Sequence, residues 1–160
     1  MPYKYKRIES PVGPLYLIGS DSKLNGIYFC VNWPDAKKKF QDACEGDSPV
    51  FTKAEKQLSE YFSGERKEFS LPLDPIGTEF QKKAWFALQD IPYGKTSTYK
   101  AQAEAIKSPL AMRAVGRANG LNPLCIVLPC HRVVGSDGSL TGFAGGLDTK
   151  EFLLRHEDAF

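Results

Sequence analysis

The segment 122–133 reads NPLCIVLPCHRV and combines an apolar run with a candidate reactive pair. The composition of the run at 124–128 is typical of a buried β-strand. Pro129 then begins a turn that carries Cys130 and His131. We therefore expect a thiol and an imidazole at the end of a buried strand, where a nucleophilic site can form.

Cys130 is a candidate nucleophile because a neighbouring cation lowers the pKa of a thiol, and the thiolate is the reactive form. His131 and Arg132 follow it directly. The competing interpretation is an inert cysteine, since free cysteine is among the most buried residue types. Adjacent strand residues point to opposite faces, so this pair acts together only through a turn or a bridging water.

Three helices are predicted before this segment. Capping patterns at Thr78 and Thr98 begin the first two, which run to about residues 89 and 106. Ser108, with Pro109 at the first helical position, begins the third, which runs to about Asn119. The last two helices form a helix-turn-helix candidate. Tight helical pairs are common, so this pattern alone is a weak indication of DNA binding.

The third helix presents two different faces. Ala111, Val115 and Ala118 have the spacing of an inward face, and Arg113, Gly116, Arg117 and Gly120 lie opposite. Glycine within a helix costs about 1 kcal/mol relative to alanine. Gly116 therefore indicates the close approach of another body, such as a DNA backbone. The alternative is a solvated arginine pair.

A glycine-rich segment, 135–146, leads from the motif to a final helix. Residues 136–138 predict a hairpin turn, or wing, and the loop 141–146 can approach a flat ligand closely. The loop lacks the phosphate-loop pattern, which argues against a nucleoside triphosphate. A capping box at Asp148 and Glu151 begins the helix. By spacing alone, Glu157 is a charged helix end rather than an orienting partner for an imidazole.

The first half of the chain has a different pattern. Short β-type runs precede a helix with a capping box at Thr52, and a proline- and glycine-containing stretch follows at 71–77. We expect an α+β fold: a small N-terminal antiparallel-sheet α/β lobe, 1–74, and a C-terminal helical lobe of winged helix-turn-helix type, 75–160.

The composition excludes several classes of protein. Among the 160 residues, 42% are hydrophobic and 25% charged, which is typical of a folded chain rather than a disordered one. A net charge of +2 is too small to indicate nucleic-acid binding by itself. No apolar run is long enough to cross a membrane, and no secretory signal begins the chain. The four cysteines match neither a disulfide framework nor a zinc site, so we expect reduced thiols, no metal and no cofactor.

These motifs together resemble those of the O6-alkylguanine-DNA alkyltransferases, the methylated-DNA–protein-cysteine methyltransferases. The segment 122–133 resembles their acceptor-site motif, and 91–99 and 113–116 resemble their helix-turn-helix. Segments 145–147 and 155–157 resemble their pocket loop and last helix. The resemblance covers about residues 77–157, and the N-terminal half matches only in character.

The resemblance implies a DNA repair protein. A damaged guanine is flipped out of the duplex, at a cost of a few kcal/mol, and its O6-alkyl group passes irreversibly to Cys130 in a single turnover. The implied partner is double-stranded DNA containing O6-methylguanine, with O4-methylthymine as a further candidate substrate. The resemblance also implies a monomer that binds DNA through the minor groove and has no membrane partner. It would act in the cytoplasm, or in the nucleus of a eukaryote, with 75–160 as the DNA-binding and alkyl-acceptor domain.

The resemblance also assigns roles to individual residues. Cys130 would accept the alkyl group, His131 would be the base through a water, and Glu157 would orient His131. Tyr99 would donate a hydrogen bond to N3 of the guanine, and Asn122 would tie the helix-turn-helix to the active-site strand. Arg113 would fill the gap left by the flipped nucleotide. The other residues expected at the DNA are Thr98, Tyr99, Ala114, Gly116, Arg117 and Asn119. The substrate pocket would be lined by Cys125, Val133, Val134, Phe143, Ala144 and Gly145.

The sequence departs from the family pattern in three places. The first two affect the range of alkyl groups that we expect the protein to accept, and the third affects metal binding. Phe143 and Ala144 stand where several relatives carry tyrosine and serine, and Cys125 stands where some carry proline. The N-terminal half lacks the cysteine and histidine set that binds zinc in some relatives.

Three other functions compete with this interpretation. A non-catalytic alkylated-DNA binding module would lack the acceptor cysteine, whereas Cys130 is present with His131, Tyr99 and Glu157. A cysteine hydrolase would need an oxyanion hole and catalytic turnover. A helix-turn-helix regulator would bind one DNA sequence tightly, and its cysteine would be incidental.

Overall fold

The computed structural model describes residues 3–160, which divide into two compact units. The first unit extends to residue 76 and also includes 123–125. The second unit comprises 77–122 and 126–160. The α+β architecture expected from the sequence, a sheet lobe followed by a helical domain, is confirmed.

The first unit is built on a sheet of four strands in the order β3-β2-β1-β4. β1 (Lys4–Ile8) pairs antiparallel with β2 (Leu15–Gly19), which pairs antiparallel with β3 (Leu24–Phe29). β4 (Cys44–Glu45) pairs with β1 in parallel. The sheet is therefore antiparallel, as expected, apart from this short edge strand.

Two helices, α1 (Trp33–Lys37) and α2 (Pro49–Phe62), accompany the sheet. The predicted start of α2 at Thr52 is wrong, because the helix begins three residues earlier. Ser48 caps it by accepting a hydrogen bond from the Phe51 amide, and Pro49 occupies the first helical turn. A proline there has no amide hydrogen to leave unpaired, which makes Ser48-Pro49 the stronger start.

The second unit has four α-helices and one small sheet among its described residues. The two strands of this sheet are parallel and only two residues long. The helices and strands are α3 (Glu79–Ala87), β5 (Ser97–Thr98), α4 (Tyr99–Ala105), α5 (Met112–Gly120), β6 (Val133–Val134) and α6 (Leu147–His156).

The caps predicted for α3 and α4 are confirmed. The Thr78 hydroxyl accepts from the Gln81 amide, and the Gln81 side chain accepts from the Thr78 amide, which completes a capping box. The Thr98 hydroxyl accepts from the Ala101 amide at 3.1 Å. Thr98 thereby sets the first turn of α4, which begins at Tyr99.

α5 begins later than predicted. Ser108 does not cap it, because its carbonyl accepts from the Ala111 amide at 2.9 Å in a separate turn, and the helix begins at Met112. The predicted capping box of α6 is also wrong, since Gly146 stands at that helix's N-cap with no side-chain cap. In both cases the predicted helix is present, and only its first residue differs from the prediction.

The predicted strand at 124–128 is wrong. Leu124 makes one isolated bridge to Ile27, and the chain then turns through 125–128, with Ile126 at a φ of 71°. All five residues are buried, so composition indicated the burial correctly but not the backbone conformation. Cys130 therefore follows a buried turn instead of a strand. No described helix has the length and apolarity needed to cross a membrane.

Candidate active site

Cys130, His131 and Arg132 form one 3₁₀ turn with no exposed side chain among them. The Cys130 amide donates to the Leu128 carbonyl at 2.8 Å, and the Arg132 amide donates to the Pro129 carbonyl at 3.0 Å. In a β-strand the side chains of Cys130 and His131 would point to opposite faces, and a turn does not impose this arrangement.

One buried carboxylate connects this turn to the end of α6. His131 Nε2 lies 2.7 Å from Glu157 Oε2. Arg132 donates through Nε to Glu157 Oε1 at 2.7 Å and through Nη2 to Oε2 at 3.0 Å. Its Nη1 donates to the Ile91 carbonyl at 2.8 Å. The bidentate hydrogen bonds of the Arg132 guanidinium group therefore fix the position of the carboxylate that His131 contacts.

Glu157 is ionised in this arrangement. Burial raises the pKa of its carboxyl group, but hydrogen bonds and charges from His131 and Arg132 outweigh burial and lower the pKa to about 2. Burial lowers the pKa of His131, against the opposing effect of Glu157. Near neutral pH the imidazole is therefore neutral, and it donates its Nε2 hydrogen to the carboxylate.

This hydrogen bond leaves Nδ1 of His131 as the acceptor nitrogen. Nδ1 is buried and has no hydrogen-bond partner within residues 3–160. Buried polar atoms in proteins are nearly always paired, and exceptions are often catalytic groups. A neutral acceptor nitrogen beside a cysteine has the chemistry of a general base.

The Cys130 thiol is protonated at rest. Burial raises its pKa, while a hydrogen bond from the Asn122 side chain and the charge of Lys150 act in the opposite direction. Asn122 Nδ2 also donates to the Leu128 carbonyl at 2.7 Å. Asn122 thus joins the end of α5 to the turn before the thiol.

Tyr99 lies at the start of α4 with its side chain half-buried. Its hydroxyl is 2.6 Å from the Thr141 hydroxyl in the glycine-rich loop. A Cβ added at Gly116 of α5 would lie 3.8 Å from the Tyr99 ring. Tyr99 therefore connects the start of α4 to the glycine-rich loop and lies close to Gly116 of α5.

Family models match almost the whole chain. The DNA binding domain of 6-O-methylguanine DNA methyltransferase matches residues 79–159, and the ribonuclease-like domain of the same family matches 3–75. The chain belongs to the 6-O-methylguanine DNA methyltransferase family. The alkyltransferase resemblance of the sequence motifs is thereby confirmed.

Relatives of known name are similar over most of their lengths. The methylated-DNA–protein-cysteine methyltransferase of Methanosarcina acetivorans is 49% identical over 155 residues, covering 96% of this chain and 97% of the relative. The constitutive enzyme of that name from Bacillus subtilis is 44% identical, covering 96% and 94%. The crystal structure of Mycobacterium tuberculosis OGT in complex with DNA is 43% identical, with a TM-score of 0.88 over 98% of this chain and 93% of that one.

The residues predicted to contact DNA in this methyltransferase family member lie on α5 and at the start of α4, where Thr98 of β5 is the N-cap. Arg113 and Arg117 are exposed, and Thr98, Ala114 and Gly116 are partly exposed. Asn119 differs, because its amide is buried and exchanges hydrogen bonds of 2.9 and 2.8 Å with Gln102 of α4. Its side chain therefore holds the two helices together.

The residues predicted to line the pocket occupy three different places. Val133 and Val134 are buried in β6, whereas Phe143, Ala144 and Gly145 lie in the more exposed loop before α6. Cys125 is buried in the first unit, where its amide donates to the Ile27 carbonyl at 3.2 Å. The pocket role of Cys125 stays a prediction.

The sequence motifs did not indicate a role for Lys150 or the contacts of Arg132. Arg132 was noted only as a cation beside the thiol, and the structure directs its guanidinium to Glu157. Lys150 is 1% exposed on α6. It precedes the buried Leu153 and Leu154 by three and four residues, so helical spacing already placed it on the buried face. Within the described part of the chain, no cluster of side chains has the composition of a metal site.

Proposed function

We propose that this protein transfers the methyl group of O6-methylguanine in DNA to the sulfur of its own Cys130, once per molecule. The observation that carries the proposal is the 2.7 Å contact between His131 and Glu157 directly after a buried cysteine. Membership of the methyltransferase family supports the same reaction.

The first step is ionisation of the thiol. The Cys130 S–H bond breaks, and Nδ1 of His131 takes the proton, through a water as the family resemblance implies. Glu157 accepts a hydrogen bond from Nε2 throughout and stabilises the imidazolium that forms. Arg132 keeps the carboxylate in place during this step.

The second step is an in-line displacement at the methyl carbon. The sulfur–carbon bond forms as the carbon–O6 bond breaks, and the bonding electrons pass to the guanine. Tyr99 stabilises this charge by donating its hydroxyl hydrogen to N3, which lowers the barrier electrostatically. The guanine takes up one proton, and Cys130 becomes a thioether. A thioether has no easily expelled leaving group, so the protein reacts once.

The surface of α5 is the proposed DNA contact. Arg113 and Arg117 supply positive charge, and Gly116 permits close approach in the minor groove. Arg113 would fill the gap that the flipped nucleotide leaves in the base stack of the DNA. Every residue with a proposed role lies within 75–160, although Cys125 belongs to the first compact unit. We further propose that the protein acts as a monomer and in the cytoplasm, where its free thiols stay reduced.

Mass spectrometry tests the reaction. The protein is mixed with a duplex carrying one O6-methylguanine, and the peptides are then analysed. We expect one methyl group on the Cys130 peptide, no gain in Cys130→Ala, and normal gain in the control Cys44→Ser, which changes an exposed cysteine. DNA binding without any mass gain would indicate a lesion-binding module. Repeated demethylation by an unmodified protein would contradict the single-turnover mechanism. A parallel duplex with O4-methylthymine tests the second candidate substrate.

A further inference from the structure

The turn formed by residues 92–95 has no role in the mechanism above. The Lys95 amide closes it by donating to the Pro92 carbonyl at 3.1 Å. Gly94 has a φ of 79°, a value that favours glycine at the third position of such a turn. A Cβ at Gly94 would also lie 3.1 Å from the carbonyl oxygen of Glu157. The turn therefore lies directly against the end of α6, beside the residue whose carboxylate contacts the imidazole.

α6 ends in the pattern of backbone hydrogen bonds known as a Schellman motif. The Asp158 amide donates to the Arg155 carbonyl at 3.0 Å. The Ala159 amide donates to the Leu154 carbonyl at 2.9 Å. Asp158 has a φ of 58°, at a position where glycine is usual. Aspartate adopts this conformation less readily than glycine, so contacts from outside the helix help to keep its end in place.

Tyr93 makes two such contacts, and each involves a group that positions Glu157. Its hydroxyl donates to the carbonyl of His156, the last residue of α6, at 3.5 Å. The guanidinium carbon of Arg132 lies 5.7 Å from the centroid of the Tyr93 ring, which is within the range of a cation–π contact. The same guanidinium binds the Glu157 carboxylate through two hydrogen bonds. One half-buried side chain therefore contacts both the helix end and the arginine.

The hydroxyl of Tyr93 remains a hydrogen-bond donor near neutral pH. Burial raises its pKa, and the negative charge of Glu157 acts in the same direction, against the charge of Arg132. A phenol with a pKa above its ordinary value of 10 stays protonated at neutral pH. The contact with the end of α6 therefore persists under these conditions.

We propose that Tyr93 is a positioning residue of the alkyl transfer. Its hydroxyl keeps the end of α6 in place, and its ring keeps the guanidinium of Arg132 in place. Together these contacts maintain the carboxylate of Glu157 within hydrogen-bond distance of His131. The assignment to alkyl transfer rests on the proposed function, whereas the positioning of Glu157 does not.

The position of Glu157 decides which nitrogen of His131 carries the hydrogen. While the carboxylate accepts from Nε2, Nδ1 is the acceptor that can take a proton from Cys130. A displaced carboxylate would no longer favour this tautomer. A fraction of the imidazoles would then carry the hydrogen on Nδ1 and could not act as the base. The tautomer of His131 thus reports on the positioning itself, and not on the stability of the fold.

Histidine-labelled protein tests the proposal without DNA. The tautomer is read from ¹⁵N chemical shifts at mildly alkaline pH, where histidine is neutral. The sequence has two histidines, His131 and His156, and His156→Gln assigns their signals. We expect the Nε2–H form alone in the wild type and a mixture in Tyr93→Leu. Tyr93→Phe keeps the ring and should retain the Nε2–H form. The control Tyr16→Leu removes a half-buried tyrosine that stacks on Trp33 in the first unit, and it should also retain this form.

Single-turnover methyl transfer measures the consequence for the reaction. Tyr93→Leu should slow it by at least about tenfold, toward the roughly 10²-fold cost of a misplaced catalytic group. Tyr93→Phe should slow it by no more than about threefold, the equivalent of one weak hydrogen bond. Tyr16→Leu should react at the wild-type rate. A wild type that transfers no methyl group would contradict the proposed function and leave the tautomer result standing.

A second measurement covers the case in which Tyr93→Leu does not fold. Amide hydrogen exchange is compared between the wild type and Tyr93→Phe, which loses only the hydroxyl. We expect the amides of Asp158 and Ala159 to exchange about two- to tenfold faster in the variant, the equivalent of one hydrogen bond, and those of the first unit to stay unchanged. A folded Tyr93→Leu with the wild-type tautomer, or equal exchange at the end of α6 in Tyr93→Phe, would overturn the proposal.

Discussion

His131 Nε2 and Glu157 Oε2 lie 2.7 Å apart, and neither side chain has any solvent-exposed surface. The contact joins residues 26 positions apart in the chain. It ties the turn that carries Cys130 to the C-terminal end of α6. Packing of α6 against this turn is therefore a condition for the chemistry, and not only for stability.

Glu157→Gln is predicted to impair both stability and methyl transfer. Glutamine can still accept a hydrogen bond from His131, but it leaves the guanidinium of Arg132 buried without a counter-ion. Removing one partner of a buried ion pair costs about 3–5 kcal/mol. Weakening the base should slow methyl transfer about 10²-fold. Urea unfolding and the single-turnover rate of methyl gain on Cys130 measure the two effects.

Glu151→Gln is the matched control for this variant. Glu151 lies on the same helix in an exposed pair with Arg155 at 3.2 Å. Exposed pairs contribute about 0–1 kcal/mol, so stability and rate should stay close to those of the wild type. Equal behaviour of the two variants would remove Glu157 from the proposed mechanism.

The stability of the protein should fall in two stages as the pH decreases. The pKa of His131 is lowered from 6.5, so below that pH the unfolded chain binds a proton that the folded chain does not. The pKa of Glu157 is lowered from 4.5 to about 2, so protonation of the unfolded chain causes a second loss between these values. In both stages the unfolded state binds more protons, and stability decreases with decreasing pH.

Urea unfolding across this pH range separates the second stage. Glu157→Gln should lack it, so the difference in unfolding free energy between wild type and variant should shrink below pH 4.5. The exposed Asp47 and Asp137, whose pKa values are also lowered, are present in both proteins and cancel. A constant difference down to about pH 3 would show that the pKa of Glu157 is not depressed.

Much of the site could be predicted because its central residues are adjacent in sequence. Cys130, His131 and Arg132 form one motif, and the capping box at Thr78 placed α3 correctly. Glu157 differs, since spacing alone favoured a charged helix end and only the family resemblance assigned it to His131. A contact across 26 residues depends on how α6 packs, which local patterns do not encode.

The errors have local physical causes. An apolar run has the same composition in a buried strand and in a buried turn, so the positive φ of Ile126 was not foreseeable. Ser108 has the chemistry of a cap, but its carbonyl is used in a turn before α5. Lys150 was overlooked because lysine is rarely fully buried.

Tyr99→Phe is predicted to slow methyl transfer about 10²-fold, because one donor to the developing charge on guanine is lost. The reaction of Cys130 with iodoacetamide should be unchanged, since that reaction has no guanine leaving group. Single-turnover methyl gain and the iodoacetamide rate are measured on the same preparation. This pair of readouts separates assistance to the leaving group from activation of the thiol.

Thr141→Val is the control for Tyr99→Phe. It removes the partner of the Tyr99 hydroxyl but leaves the hydroxyl itself, along with the backbone carbonyl that Lys150 contacts. Methyl transfer should stay within the same order of magnitude as in the wild type. A large loss in Thr141→Val with none in Tyr99→Phe would assign the catalytic hydroxyl to Thr141 instead.

Gly116→Ala is predicted to stabilise the protein and weaken its binding to DNA. The added Cβ would lie 3.8 Å from the Tyr99 ring, an ordinary contact, so the folded protein has room for it. Alanine favours the helix by up to about 1 kcal/mol over glycine. Gly120→Ala, in the same helix, adds a methyl group in open space and serves as the control. Urea unfolding and fluorescence anisotropy with an unmodified duplex at one salt concentration give the two quantities. If α5 approaches the minor groove at Gly116, Gly116→Ala loses more affinity than Gly120→Ala, which lies one turn further along the same face. Equal affinities would place the close approach elsewhere on the helix and leave Gly116 explained by its contact with Tyr99.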